Sequence, residues 1–558
     1  MSDRAHPLPR GAGLTVGRRP HRTVQRHRGQ LTDHTTHPRR PHVSERLNYA
    51  SKALTPDLSA AFELALADAR DGDLAPVQHV IDGGPVAEGE IFTWEDPAAA
   101  PGRVVTEAHA ATPDVVGRAV AAARAARKGW RALTGAERVE HLRCSQREFD
   151  ERKVEIAGVI SAETGKSRLE ALGEAEEVVD LVKTYADQVE QSPESFATRM
   201  NTADPGETNT DLLRPYGAFG VIGPFNFPAA LCVNMSAAAL LAGNTVVLKP
   251  SAKAPRSGAL IGEVLAKHVP AGVLNVVQGH AYVGQALAES DVDGIAFTGS
   301  AGVGWDLLRN LAAGPYAKPV LAEMGGKNVA VVGRTADLEA AAEGIARSAF
   351  GLSGQKCSAC SRVVVHSAVH DDLVDRIAAR VAEMSLAAPE DPGAFLGPVI
   401  DGVAVARFER AAELAKKDGR INAGGARPQG LEGHFVQPTL VTDLPLGHEL
   451  TREELFLPFV TVTCVDSFQE ALDEANATNY GLSAGVFSRE QQEIDDFLDQ
   501  IDAGVVYVNR RSGATTGAWP GIQSFCGWKA SGSSGKGGLG PWYLQGFMRE
   551  QSRTLPVS

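Results

Sequence analysis

The sequence predicts an α/β protein built on largely parallel sheets, and three observations carry that reading. From Tyr216 onward, short β-branched runs recur at Phe219 to Ile222, Thr245 to Leu248, Leu274 to Val277, Gly294 to Phe297, Val329 to Val332 and Val363 to Val365. Longer stretches of helical period fill the gaps, and strand–helix–strand alternation implies right-handed crossovers between parallel strands. The alternation continues past Met324, which makes a second α/β unit after the first.

The elements follow in chain order. Residues 1–45 are rich in Arg, His and Pro and poor in apolar residues, the composition of a disordered basic tail. Prolines interrupt any amphipathic helix there, so a transit-sequence or nucleic-acid-arm reading yields to that of a dispensable tail. Its histidines are irregularly spaced and predict no metal site. Further on, Thr112 is placed as an N-cap with Pro113 at the first helical position, and Val116, Val120, Ala123 and Trp130 share one face. A second helix is expected from about Arg138, leading into an acidic one around Glu170 to Asp180. Between Ser192 and Asn209 the period fades into polar residues, which predicts a linker or an exposed hairpin.

Composition bounds the function. A chain of 558 residues that is 43% hydrophobic has ample core for two or three domains. Its net charge of -13 argues against nucleic acid as a partner. No apolar run reaches bilayer length and the N-terminus lacks a secretory apolar core, so a cytoplasmic protein without membrane partners is expected. Cys357 and Cys360 form a CxxC, but the other four cysteines stand singly, which suits neither a disulfide framework nor a zinc site. No metal is expected.

Residues that could carry chemistry sit near the ends of predicted strands, where open α/β sheets bind ligands. Cys357 lies in a glycine-rich turn, with Lys356 and Arg362 placed to favour its thiolate; the alternative is a buried thiol acting as a small hydrophobe. Asn226, framed by Pro224 and Pro228, can donate to an oxyanion or cap the next helix. Lys249 and Ser251 follow an apolar strand, where a lysine can meet ligand hydroxyls or phosphates or merely solvent. Gly299, Ser300 and Gly304 form a small-residue turn that opens a helix and can cradle a phosphate, without full GxGxxG spacing. Glu323, at an apolar strand end with two glycines behind it, suits a general base with a raised pKa, or a surface acid. Glu454 and Phe456 join an acid to an aromatic face, suited to a ribose and a neighbouring ring, or to a helix end with a core Phe.

Taken in order, these motifs resemble the NAD(P)-dependent aldehyde dehydrogenase superfamily over nearly the whole chain, from about Ala75 to Leu555. The resemblance rests on Pro224-Phe-Asn-Phe227, Gly243-Asn-Thr-Val-Val-Leu-Lys-Pro250, Phe297-Thr-Gly-Ser300, Glu323-Met-Gly-Gly-Lys327, Gly354-Gln-Lys-Cys357 and Asn476-Ala-Thr-Asn-Tyr-Gly-Leu482. It implies a Rossmann-type cofactor domain over 46–195 and 214–325, an α/β catalytic domain over 326–540, and a small β flap from 196–213 and 541–558 through which relatives assemble as homo-oligomers. It also implies Cys357 as nucleophile, Asn226 with the Cys357 N–H as oxyanion donors, and Glu323 as the base that activates water. Phe225, Lys249, Ser251, Gly299, Ser300, Gly304, Glu454 and Phe456 are implied for the cofactor, NAD, with NADP left open because Ala252 stands where many relatives carry an acid.

Two strings, Gly354 to Arg362 and Gly527 to Pro541, look like the 1-pyrroline-5-carboxylate dehydrogenase branch, which oxidises glutamate γ-semialdehyde to glutamate. Ser358, Ser531 and Gly532 are implied as the anchor for the substrate carboxylate. Leu457, Ser524 and Cys526 depart from the usual pattern, which leaves another semialdehyde or amino aldehyde as the alternative substrate. A catalytically silent binding homologue is opposed by retention of Cys357, Glu323 and Asn226, and a CoA-acylating relative by the acid at 323.

Overall fold

In the computed structural model, residues 47, 54–72, 75–193, 196–201, 203–511 and 518–557 are described, and they belong to one compact unit. The basic tail expected over 1–45 lies outside the described residues. Helix Pro113–Ala132 starts where Thr112 accepts a hydrogen bond from Val115 N–H, and it buries Val116, Val120, Ala123 and Trp130. The next helix, Gly135–Thr164, opens on a capping box between Thr134 and Glu137 and stops at Gly165, whose φ of 72° is the left-handed conformation glycine tolerates best. The acidic helix Arg168–Gln191 packs along it, and Glu174, Glu176 and Glu177 are buried rather than solvated.

Two seven-stranded sheets form the frame. The first has the order Val320–Glu323, Gly294–Thr298, Ala218–Ile222, Thr245–Lys249, Leu274–Val276, His79–Ile81, Gly84–Val86; its first five strands are parallel and its last two pairings are antiparallel. The second runs Arg420–Ala423, Thr439–Thr442, Phe459–Val465, Cys360–His366, Asn328–Val332, Ser483–Phe487, Val505–Val508, and all but its first pairing are parallel. Each buries Val- and Ala-rich strands against helices, as a doubly covered parallel sheet requires. Every β-branched run expected to be a strand is one, within a residue at each end except that the run Val363 to Val365 belongs to a strand starting three residues earlier, at Cys360.

The polar stretch after Ser192 is a hairpin. Strands Ala197–Met200 and Glu207–Pro215 pair antiparallel, and the C-terminal strand Met548–Pro556 adds to the second of them over nine residues. This small sheet is largely exposed. No helix among the described residues is long and apolar enough to cross a membrane.

Candidate active site

The first sheet presents its functional residues at the carboxyl ends of parallel strands: Asn226 beyond Ala218–Ile222, Lys249 closing Thr245–Lys249, Ser300 beyond Gly294–Thr298 and Glu323 closing Val320–Glu323. The second sheet works the other way round. Cys357 precedes the strand Cys360–His366, and Glu454 and Phe456 precede Phe459–Val465. Expecting chemistry after each strand therefore holds for one sheet only, and the site forms where one sheet's carboxyl ends meet amino ends of the other.

The Asn226 loop is held from below by a buried ion pair. Lys166 and Glu174, both fully enclosed, bond to one another, and the ammonium also lies 3.7 Å from the centre of the Phe227 ring. The other Glu174 oxygen accepts the N–H groups of Ala229 and Ala230 at 2.9 and 3.1 Å, which caps the helix Ala230–Leu241. Asn226 is thus released from capping. Its Nδ2 donates to the Gln355 carbonyl at 2.9 Å, which aligns the amide beside the Cys357 loop and leaves a second N–H for a ligand.

The Cys357 loop is fixed at many points. Leu352, Ser353 and Gly354 all have positive φ, and a side chain at Gly354 would strike the Leu457 carbonyl. Ser353 Oγ donates to the Gly397 carbonyl at 2.6 Å, Gln355 Oε1 accepts Ile400 N–H at 2.9 Å, and Asn328 Nδ2 donates to the Cys357 and Ala359 carbonyls at 2.7 and 2.9 Å. The half-buried Cys357 thiol faces a cavity of about 830 Å³ that Glu323 also lines.

The positive field expected around this thiol is corrected. Lys356 Nζ is paired with Glu170 at 3.0 Å, and the buried Arg362 guanidinium is spent on the carbonyls of Lys327, Glu474 and Ala475. Burial first, and then the charges of Glu454 and Glu323, push the Cys357 thiol up to about 12; the N–H groups of Ser358 and Cys357 oppose this. Without ligands the sulfur is a protonated thiol flanked by carboxylates, so attack requires a proton acceptor.

Two carboxyls can serve. Burial raises Glu323 well above the ordinary carboxylate range, with only Gly527 N–H, 3.2 Å from Oε2, acting against it. Burial raises Glu454 to about 7, opposed by the Gly326 N–H at 3.1 Å. A Cβ at Gly325 would lie 2.0 Å from Glu454 Oε2, so this glycine gives the carboxyl its place. Phe456, at a φ of 55°, meets Phe225 edge to face at 5.9 Å, bringing together two residues 231 positions apart in the chain.

The residues expected at the cofactor divide. Lys249 lines an open cleft between helices Ala281–Glu289 and Ala301–Ala312; it is 6% exposed, burial lowers its pKa to about 8, and Nζ bonds to the Pro250 carbonyl. Two ammonium hydrogens remain for ligand hydroxyls. Exposed Ser300 is the N-cap residue of Ala301–Ala312 yet makes no side-chain cap bond, which leaves that helix end open to a phosphate. These features fit a dinucleotide. Ser251 spends its hydroxyl on Lys253 N–H at 3.2 Å, and Gly299 packs against the Phe297 ring. Gly304 is buried, and a Cβ there would lie 2.4 Å from Met324 Sδ, so the glycine lets its helix pack closely.

The segment expected as the anchor, Ser531 and Gly532, is tied into the fold. Ser531 is fully buried, and its hydroxyl accepts Gly481 N–H at 3.1 Å. Gly532 bridges to the Glu323 backbone, Ser531 O accepts Met324 N–H at 2.8 Å, and Ser533 Oγ binds both Ala322 N–H and Val320 O. This loop braces the Glu323 strand and does not line the cavity. Ser358 does, together with Glu177, Asn234, Phe525, Gly538 and Leu539. Sequence reasoning singled out Ser358 but not the other five as site residues, although an Asn amid Ala, Leu, Val and Met in Ala230–Leu241 is a polar residue with no surface to explain it. Among the described residues no cluster of three or more His, Cys, Asp or Glu could hold a metal ion.

Comparison with known proteins points the same way. Residues 87–552 match the aldehyde dehydrogenase family. A 1-pyrroline-5-carboxylate dehydrogenase of Geobacillus sp. (strain WCH70) is 38% identical over 72% of this chain and 78% of its own. One of Anoxybacillus flavithermus is 36% identical over 81% and 87%. The crystal structure of 1-pyrroline-5-carboxylate dehydrogenase from Thermus with bound NAD superposes with a TM-score of 0.86 at 31% identity, covering 92% of this chain and 99% of that one.

Proposed function

The chain belongs to the aldehyde dehydrogenase family, and we propose that it oxidises L-glutamate γ-semialdehyde to glutamate with NAD, through Cys357, Glu323 and Asn226. One observation carries the catalytic assignment: Cys357 and Glu323, 34 positions apart and on different sheets, line a single cavity beside the loop that Asn226 holds. The substrate follows from the relatives named above, which are 36–38% identical over most of the chain.

In this reading the Cys357 sulfur adds to the aldehyde carbon while its proton passes to the Glu323 carboxylate. The new oxyanion accepts hydrogen bonds from Asn226 Nδ2 and the Cys357 N–H, donors in place before the charge develops. NAD would be held by Lys249 and the open helix end at Ser300, and would supply the hydride acceptor. Loss of hydride from the tetrahedral carbon restores the carbonyl as a thioester on Cys357. Glu323, its proton released to solvent, then takes a proton from water as the oxygen attacks the thioester; the acid leaves and the thiol is restored. Glu454 and the Phe225–Phe456 pair would border the nicotinamide end, and Ser358 would contribute a hydroxyl to the substrate's carboxylate end.

The reading also places the protein in the cytoplasm and gives the exposed three-stranded sheet the role of joining copies of the chain; light scattering on the purified protein tests the latter, and a monomer would refute it. The principal test follows reduced nicotinamide by absorbance with glutamate γ-semialdehyde, succinate semialdehyde and propionaldehyde, each with NAD and NADP. The highest kcat/KM is expected for glutamate γ-semialdehyde with NAD. A higher value for either other aldehyde would remove the substrate assignment.

A further inference from the structure

One polar group in the aldehyde cavity has no part in the mechanism above. Asn234 lies in the middle of the apolar helix Ala230–Leu241 and is 4% exposed. Its Oδ1 accepts the Tyr185 hydroxyl at 2.5 Å, and that hydroxyl accepts Leu539 N–H at 2.9 Å. Because Tyr185 donates its only hydrogen to the amide, the oxygen end of Asn234 turns towards it and the NH₂ end turns away. Among the described residues Nδ2 has no acceptor. It abuts the cavity wall at Gly538, where a Cβ would lie 2.6 Å from it, so the glycine leaves room for the amide. Asn234, Gly538 and Leu539 line the same cavity as Cys357 and Ser358.

We propose that Asn234 recognises the substrate: Nδ2 donates to the carboxylate at the far end of an ω-carboxylated aldehyde, and Tyr185 is the positioning residue that fixes which end of the amide faces the cavity. The inference rests on the substrate class proposed above. Lys356, the cation in the cavity wall, is held by Glu170, so the carboxylate depends on neutral donors. A buried amide with an unfilled N–H rewards a ligand that supplies an acceptor and disfavours one that does not.

The test compares KM and kcat for glutamate γ-semialdehyde and propionaldehyde in the full-length wild type, Asn234→Asp and Tyr185→Phe, with glutamate binding measured by calorimetry without NAD. Asn234→Asp keeps the shape and an oxygen for Tyr185 but replaces the donor with an acceptor. It is expected to raise KM for glutamate γ-semialdehyde by about tenfold to a hundredfold and to weaken glutamate binding in parallel. KM for propionaldehyde and kcat should change by less than about threefold. Tyr185→Phe should give the same split at roughly threefold to tenfold, and it carries the test if Asn234→Asp does not fold. Equal changes for both aldehydes, or unchanged glutamate affinity, would overturn the role of Asn234 while leaving the substrate assignment intact. A wild type that prefers propionaldehyde would overturn both.

Discussion

The cofactor cleft and the aldehyde cavity meet near Cys357 but are built on different principles. The cleft is local: a strand end presents Lys249, a helix end presents Ser300, and each works largely through its own segment. The cavity is long-range, drawing Glu177, Asn234, Glu323, Cys357 and Gly538 from widely separated parts of the chain. The cleft keeps polar groups open to a ligand, whereas the cavity holds the Glu323 carboxyl and the Cys357 thiol above their ordinary pKa range. Burial acts in both regions, lowering Lys249 in the cleft and raising Cys357 and Glu323 in the cavity, but only the cavity uses it on the groups that react.

The largest break in this comparison is Cys357→Ser. Turnover should fall by more than about a thousandfold, because a hydroxyl is a far weaker nucleophile in a site that already disfavours its charged form. NAD affinity, measured by fluorescence quenching, should be unchanged if cleft and cavity are separable. A parallel loss of NAD binding would show that they are not.

Glu323→Gln sharpens the contrast within the cavity. Steady-state turnover should fall by about a hundredfold or more, while a slower burst of reduced nicotinamide persists, because Glu454 can take the thiol proton in the first step and the acyl-enzyme then accumulates. A variant with no burst and normal turnover would refute the assignment of Glu323 as the base. For the wild type, kcat should rise with pH through the raised Glu323 range, since the base acts only when ionised. In the variant that limb should be absent.

The cleft and cavity also differ in how much of them could be read in advance. Lys249 and Ser300 were legible because strand, turn and helix periods are local properties of sequence. Glu323 and Cys357 were legible as residues, and by resemblance as partners. Their electrostatics were not: Lys356 is adjacent to Cys357 in sequence, yet its charge is taken by Glu170 on a distant helix. The burial of Ser531 was hidden for the same reason, because a Ser-Gly string looks exposed until its hydroxyl is seen bonded to Gly481, 50 positions away. The packing of Gly304 was not legible because a glycine's partner, here Met324, leaves no trace in its own neighbourhood. Sequence reveals which groups are present near a turn, but which of them are already satisfied depends on contacts across the fold.

In the cleft, Lys249→Met keeps the side-chain volume and removes the ammonium. KM for NAD should rise about tenfold, close to 1.4 kcal/mol, with kcat within about twofold of wild type. A fall in kcat at saturating NAD would mean that the ammonium acts on the reacting end, against a purely local cleft.

The smallest effect expected is one of stability, at the border of the two regions. Burial raises Glu454 to about 7 in the folded protein, whereas the unfolded carboxyl titrates near its ordinary value of 4.5. The folded state therefore binds this proton more tightly, and stability falls as pH rises from the unfolded value through the folded one. Glu454→Gln cannot ionise, and its amide oxygen still accepts Gly326 N–H. Because the side chain is only half-buried, the variant should gain on the order of 1–2 kcal/mol at pH 8 and nothing at pH 4. Thermal unfolding without cofactor should show this as a rise of about 2 °C at pH 8. An equal rise at both values would trace the gain to packing, and no rise at pH 8 would mean that water reaches this carboxyl as freely as it reaches the cleft.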